Sequence, residues 1–197
     1  MGMTGKDIEA AQARMESARM PFDTLFAEIA SLVFPRQADF FGGGLATAGW
    51  TRNRTMEAVM HDPYAAQALE DGVAAFEGWV MPRGERWQKL ALADEALMRR
   101  VPVRAWLEKI EHRLFQLRND PMSGFATAVH ESGMSLFAFG QQSTWIEPRR
   151  HPVTGQVIGL GYQSEFIGDV WFECDAQGYP IRIHRRFTLS AEQALRE

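Results

Sequence analysis

Along residues 7–133 apolar positions recur every three or four residues, and beyond 134 they tend to alternate, so the chain reads as helices followed by strands. Ile8, Ala11, Met15 and Ala18 mark one stripe of a helix over 7–19. A second helix follows over 22–33, where Phe22, Leu25, Phe26, Ile29, Leu32 and Val33 repeat at helical spacing. Pro21 suits its first turn, and Phe34-Pro35 closes it. Residues 37–55, with Gly42-Gly43-Gly44, read as a surface loop. Asp62-Pro63 is a capping acid followed by a proline that opens a helix running to about Met81. Its inner stripe is Ala65, Leu69, Val73, Phe76 and Val80, with Gly72 leaving room for another backbone. Pro82-Arg83-Gly84 breaks that helix, and 87–92 alternates as a short strand. Pro102 opens a third long helix, with Val103, Trp106, Leu107, Ile110, Leu114 and Leu117 facing a core until Asn119-Asp120-Pro121. A last helix over 123–132 presents Phe125 and Val129, and Gly133 is placed to end it.

Strand patterns then cover 134–139, 142–147, 156–163, 169–174 and 180–189, separated by turns such as Thr154-Gly155 and Gln177-Gly178. Short consecutive strands with tight turns form an antiparallel meander. The expected fold class is α+β, with N-terminal helices packed on a C-terminal antiparallel β-meander. Residues 1–133 make the mainly helical region and 134–197 the sheet region, together one structural unit. At the end of the chain, Ser190 and Gln193 have the spacing of a capping box. The helix they start has barely two turns before Glu197, which reads as an element cut short inside a larger protein.

Composition narrows the class without choosing a chemistry. The chain has 197 residues, 46% hydrophobic and 23% charged, as in soluble globular proteins. Its N-terminus lacks the apolar core of a secretory signal, and no run of about 18 apolar residues offers a membrane span. Cys174, the single cysteine, cannot form an internal disulfide; it fits a reducing compartment and reads as a small apolar strand residue. The net charge of -4 argues against a surface that grips nucleic acid as a whole.

The residues that carry chemistry are scattered. His61, His112, His130, His151 and His184 stand singly, with no His-Glu-x-x-His for zinc and no Gly-x-Ser-x-Gly serine elbow. His130-Glu131-Ser132 are helix neighbours that point apart. Gly42-Gly43-Gly44 lacks the lysine and hydroxyl of a phosphate loop, and Asp94-Glu95 reads as a solvated connector before Arg99-Arg100. No catalytic, cofactor-binding or metal-binding residue is assigned. Trp79, Trp87, Trp106, Trp145 and Trp171 have the character of base-stacking platforms, but core packing accounts for them better. Arg182, His184, Arg185 and Arg186 form the clearest basic cluster, either a phosphate-contacting strand or, the preferred reading, a solvated or subunit-facing edge.

The order of several motifs is nevertheless distinctive. After the helix closing on Phe34-Pro35 comes Trp79-Val80-Met81-Pro82-Arg83-Gly84-Glu85-Arg86-Trp87-Gln88-Lys89-Leu90. Val103-Arg104-Ala105-Trp106-Leu107, the stretch 119–125, His130-Glu131-Ser132-Gly133, Phe139-Gly140 and Trp145-Ile146-Glu147 follow in order. Asp175-Ala176-Gln177-Gly178 and the run from Arg185 through Ala194 complete the set. In this order the chain resembles the N-terminal portion of the head-to-tail connecting (portal) proteins of short-tailed, T7-like bacteriophages, over about residues 22–197. The resemblance implies a wing-like region of a homo-oligomeric, dodecameric ring without catalytic residues. It implies terminase, capsid and tail proteins as partners, DNA contact only through the assembled ring, and no membrane. The location implied is the portal vertex of the virion, with host cytoplasm during assembly. Two other readings stand beside it: a small α+β enzyme whose site brings Glu131, His130 and Arg182 together, and an accessory or remnant prophage protein.

Overall fold

The structure, a computed structural model, describes residues 4–34 and 63–194. His61, Asp62 and the expected loop at 37–55 lie outside the described residues. The elements run α1 (Gly5–Val33), α2 (Tyr64–Val80), α3 (Glu95–Met98), α4 (Val101–Asn119), a 3-10 turn (Pro121–Ser123), α5 (Phe125–Phe139), β1 (Ser143–Arg150) and β2 (Val157–Glu165). A second 3-10 turn (Ile167–Asp169), β3 (Val170–Cys174), β4 (Pro180–Arg185) and α6 (Ala191–Ala194) complete them. The fold is α+β. Its strands form two separate ribbons, β1–β2 and β3–β4, where the alternating pattern predicts one meander. The 3-10 turn at Ile167–Asp169 falls between β2 and β3 and interrupts the extended backbone that continuous pairing requires. The chain divides into two compact units.

The first unit combines α1, the start of α2, residues 138–143 and the chain from Glu165 onward. Thr4 caps α1 in a reciprocal box with Asp7, whose carboxylate accepts from the Thr4 hydroxyl and amide at 2.7 and 2.8 Å. These bonds hold the Asp7 carboxyl below its usual range, so this cap is complete at neutral pH and is lost as pH falls through that lowered range. The sequence predicts two helices here, but α1 continues through Pro21. A proline inside a helix removes one bond and costs about 3 kcal/mol. The stripe of Ala11, Met15, Arg19, Phe26 and Ala30 nevertheless stays in phase across it, and packing on both sides offsets the loss. Ala11 and Met15 pack on Trp171, while Phe26 and Ala30 pack on Ile167 beside Phe34, Phe139 and Phe166.

Arg19 joins these two clusters. Its guanidinium donates to the carbonyls of Ile167, Gly168 and Val170 at 3.2, 3.3 and 3.0 Å and lies 4.4 Å from the Trp171 ring centroid. It also pairs with Asp23 at 2.8 Å, across the turn that contains Pro21. In β3–β4, Trp171 lies opposite His184 and Phe172 opposite Ile183, so these two pairs lie on opposite faces of the ribbon, with Trp171 packed on Ala11 and Met15 of α1. β4 ends at Arg185, short of the predicted Leu189: the Arg186 amide still donates to the carbonyl of Asp169 opposite it, at 2.8 Å, but Asp169 belongs to the 3-10 turn, so the partner strand has already ended.

The second unit takes residues 70–137 and Thr144–Ser164. Gly133, expected to end a helix, sits inside α5, and the strand predicted at 134–139 is the helix's last part. A Cβ at Gly133 would lie 2.8 Å from Val73 Cγ1 on α2, so the glycine serves close helix approach. Gly140, at φ 73, has the left-handed conformation that follows a helix end. The strand predicted at 87–92 has no ladder partner among the described residues. It lies against α4, where the Leu90 amide donates to Glu111 Oε1 at 2.6 Å. Asp94, read as part of a connector, caps the short α3 by accepting from the Ala96 and Leu97 amides. Between α4 and α5, buried Ser123 donates to the Arg118 carbonyl at 2.7 Å and accepts from the Phe125 amide at 3.2 Å. Phe125 meets Tyr162 of β2 edge-on, ring centroids 4.9 Å apart, and Asp120 pairs with Arg149 of β1 at 3.0 Å. This turn therefore fastens the helices of the second unit to its ribbon.

Two measurements check these joints. Arg19→Leu removes a donor shared by three carbonyls, of which that of Ile167 keeps the Val170 amide, and should cost about 2–4 kcal/mol in urea unfolding. Gly133→Ala forces its methyl against the rigid Val73 and should cost about 1–3 kcal/mol. Adding Val73→Ala should recover part of that loss, giving a coupling term in the double-mutant cycle.

Candidate assembly surface

The basic cluster of β4 is consumed by carboxylates. Arg182 pairs with Glu173, its partner across the ribbon, at 3.3 Å, and Arg185 pairs with Glu165 at 2.8 Å. Arg186 places Nε and Nη2 at 2.9 and 2.6 Å from Asp169 Oδ1, and His184 Nδ1 lies 2.9 Å from Gln12 Oε1. Arg186 and Arg19 also lie against Trp171, at 5.3 and 4.4 Å from its ring centroid. Each of these three guanidinium groups already has a carboxylate acceptor within the unit. The alternating basic pattern marks pairing within the unit.

The residues that suggest a dispersed catalytic site are likewise engaged separately. His130 lies between Glu70 and Glu77, and Glu131 is exposed. Ser132 Oγ joins the hydroxyls of Thr144 and Ser164 at 2.9 and 3.3 Å. Arg182 is held by Glu173. Cys174 is free and exposed on β3. Among the described residues no group of three or more His, Cys, Asp or Glu side chains is placed to hold a metal ion, and no helix is long and apolar enough to cross a membrane.

The tryptophans reverse the expectation that they pack in the core. Among the tryptophans of the described residues only Trp171 is buried, at 5% exposure; Trp79 is 89% exposed, Trp106 59%, Trp145 49% and Trp87 39%. The helical phase carried this signal. The buried face of α2 runs through Val73 and Glu77, which leaves Trp79 on another side, and in α4 Trp106 lies one position from the buried Leu107. Aliphatic surface is open as well. On the outer face of β3–β4, Phe172, Ile181 and Ile183 are exposed. A cleft of about 540 Å³ in the same unit is lined by Phe22, Leu25, Phe26, Phe139, Val170 and Phe172. Contiguous apolar surface of this kind is typical of proteins that others cover.

The fold and its surface thus define a structural class: an α+β protein that pairs many of its arginines internally while leaving aromatic and aliphatic faces open. The family model of the bacteriophage head to tail connecting protein matches residues 5–197, and the chain belongs to that family. Neither the comparison with curated proteins nor that with solved structures finds a match.

If the outer face of β3–β4 serves contacts and not the fold, Ile181→Thr with Ile183→Thr should change unfolding stability by less than about 0.5 kcal/mol per site, since both replacements keep β-branching. Binding of an apolar dye to the purified chain should fall.

Proposed function

We propose that this chain is a subunit of a phage portal ring, acting through assembly in the region that leads from an outer sheet towards the body of the ring. Twelve copies at one capsid vertex, tail proteins attached outside, and DNA packaged through the opening by a terminase motor are the arrangement this reading implies. The observation that carries it is the family match over residues 5–197. The exposed Trp79 and Trp106 and the open face of β3–β4 support it, because a ring subunit has neighbours to cover such surface. The motor chemistry belongs to the partner ATPase, and this chain supplies shape and contacts. Gold-labelled antibody against the chain should mark one vertex of each purified particle. Label spread over the whole shell, or none, would overturn the reading.

A further inference from the structure

The second unit holds a cavity of about 190 Å³ that the assembly reading does not use. It lies between the turn that follows α2, the second half of α4 and the start of α5, and Trp87, Phe115 and Phe125 line it together with Arg118. The half-buried Arg118 guanidinium stands 5.1 Å from the Trp87 ring centroid and 5.7 Å from that of Phe125. The negative faces of the two rings hold the cation in place, but neither accepts its N–H groups as an oxygen would.

The other charged groups of the lining are engaged or solvated. Glu77 pairs with Arg83 at 3.1 Å and meets His130 Nδ1 at 2.8 Å. Asp120 pairs with Arg149 at 3.0 Å and accepts from the Met122 amide, and Glu111 accepts from the Leu90 amide at 2.6 Å. Glu85 and Arg86, adjacent and opposite in sign, are exposed. Among the described residues no carboxylate pairs with Arg118 and no carbonyl accepts from its guanidinium. Arginine keeps its charge at any ordinary pH, so a half-buried guanidinium with open donors calls for an anion.

The size of the cavity limits what can carry that anion. About 150 Å³ takes a benzene ring, and sites for drug-sized ligands begin at about 300 Å³, so one ring with a short acidic arm fits and a nucleotide does not. A doubly charged group such as phosphate would also face Glu85 and Glu111, whereas a single carboxylate needs only the one open cation.

We propose that this cavity binds a carboxylate carried on a single aromatic ring. The ring lies among Trp87, Phe115 and Phe125, and the carboxylate accepts from the Arg118 fork. A free aromatic acid and the C-terminal phenylalanine or tyrosine of a peptide both present that chemistry.

Spectra of the full chain labelled with ¹⁵N follow the indole N–H of Trp87, identified by its loss in Trp87→Phe. Titration with hydrocinnamate should shift that signal saturably, with a dissociation constant on the order of 1 mM for a ligand of this size. Two changes should each weaken binding about tenfold or more: replacing the acid by its amide, hydrocinnamamide, and Arg118→Met, which keeps most of the apolar stem without the charge. The amide comparison uses the wild-type chain and stands whether or not the variant folds. Glycyl-glycyl-phenylalanine separates the two sources. Binding as tight as that of the acid assigns the site to a chain terminus, and a shift given by the acid without the peptide assigns it to a free ligand. A Trp87 signal that does not saturate, or that responds equally to acid and amide, overturns the proposal. So does a folded Arg118→Met chain that binds the acid as the wild type does.

Discussion

The guanidinium of Arg19 is the interaction on which the first unit depends. At and just after the 3-10 turn, the carbonyls of Ile167, Gly168 and Val170 all point at Arg19 of the helix that must pack on them, and that of Ile167 also accepts the Val170 amide. A buried carbonyl without a donor costs about 1–3 kcal/mol, so several together would keep α1 from docking. One planar cation satisfies three of them, stacks on Trp171 and still reaches Asp23. The apolar clusters on either side, Phe26 with Ile167 and Met15 with Trp171, can then close on a turn that is no longer a source of unmet hydrogen bonds.

The same economy of charge shapes what lies outside. Carboxylates from neighbouring elements pair with Arg149, Arg182, Arg185 and Arg186, while Arg150 of β1 is exposed and donates to the Gly155 carbonyl. Each such pair adds little stability where it is solvated. Its larger effect is on the surface. With the cations turned inward to partners, Phe172 and Ile183 are left as the outer face of β3–β4, and a two-stranded ribbon with one open apolar side is marginal without a covering.

Much of this was legible in the sequence where one local rule governed the outcome. Pro102 in the first turn of α4, Asp175-Ala176-Gln177-Gly178 between β3 and β4, and the helical start near Ser190 all follow from local chemistry. What escaped depends on partners distant in sequence. Pro21 looks like a boundary until Trp171 and Ile167 hold both halves of α1 in one phase. Gly133 looks like a terminator until Val73 is known to lie against it. Residues 87–92 alternate like a strand, yet a strand needs a second strand, and here Glu111 of α4 takes the Leu90 amide. The exposed tryptophans reflect a different limit: hydrophobicity alone does not say which apolar side chains the fold itself covers.

The stretches that carry the resemblance are joints in the fold and not catalytic spacings. In the stretch from Trp79 to Leu90, Gly84 adopts φ 85 in the turn, Arg83 reaches back to Glu77, Trp87 takes the Arg118 guanidinium at 5.1 Å, and Leu90 bonds to Glu111. The stretch 119–125 caps, turns and docks on the β1–β2 ribbon through Asp120 and Phe125. Arg185 and Arg186 close the end of β4 onto Glu165 and Asp169. A catalytic signature brings reactive groups to one point, whereas these residues sit where the chain changes direction and must do so in one geometry only. Such corners fix the shape of the chain, because an error of direction there would displace every surface that follows.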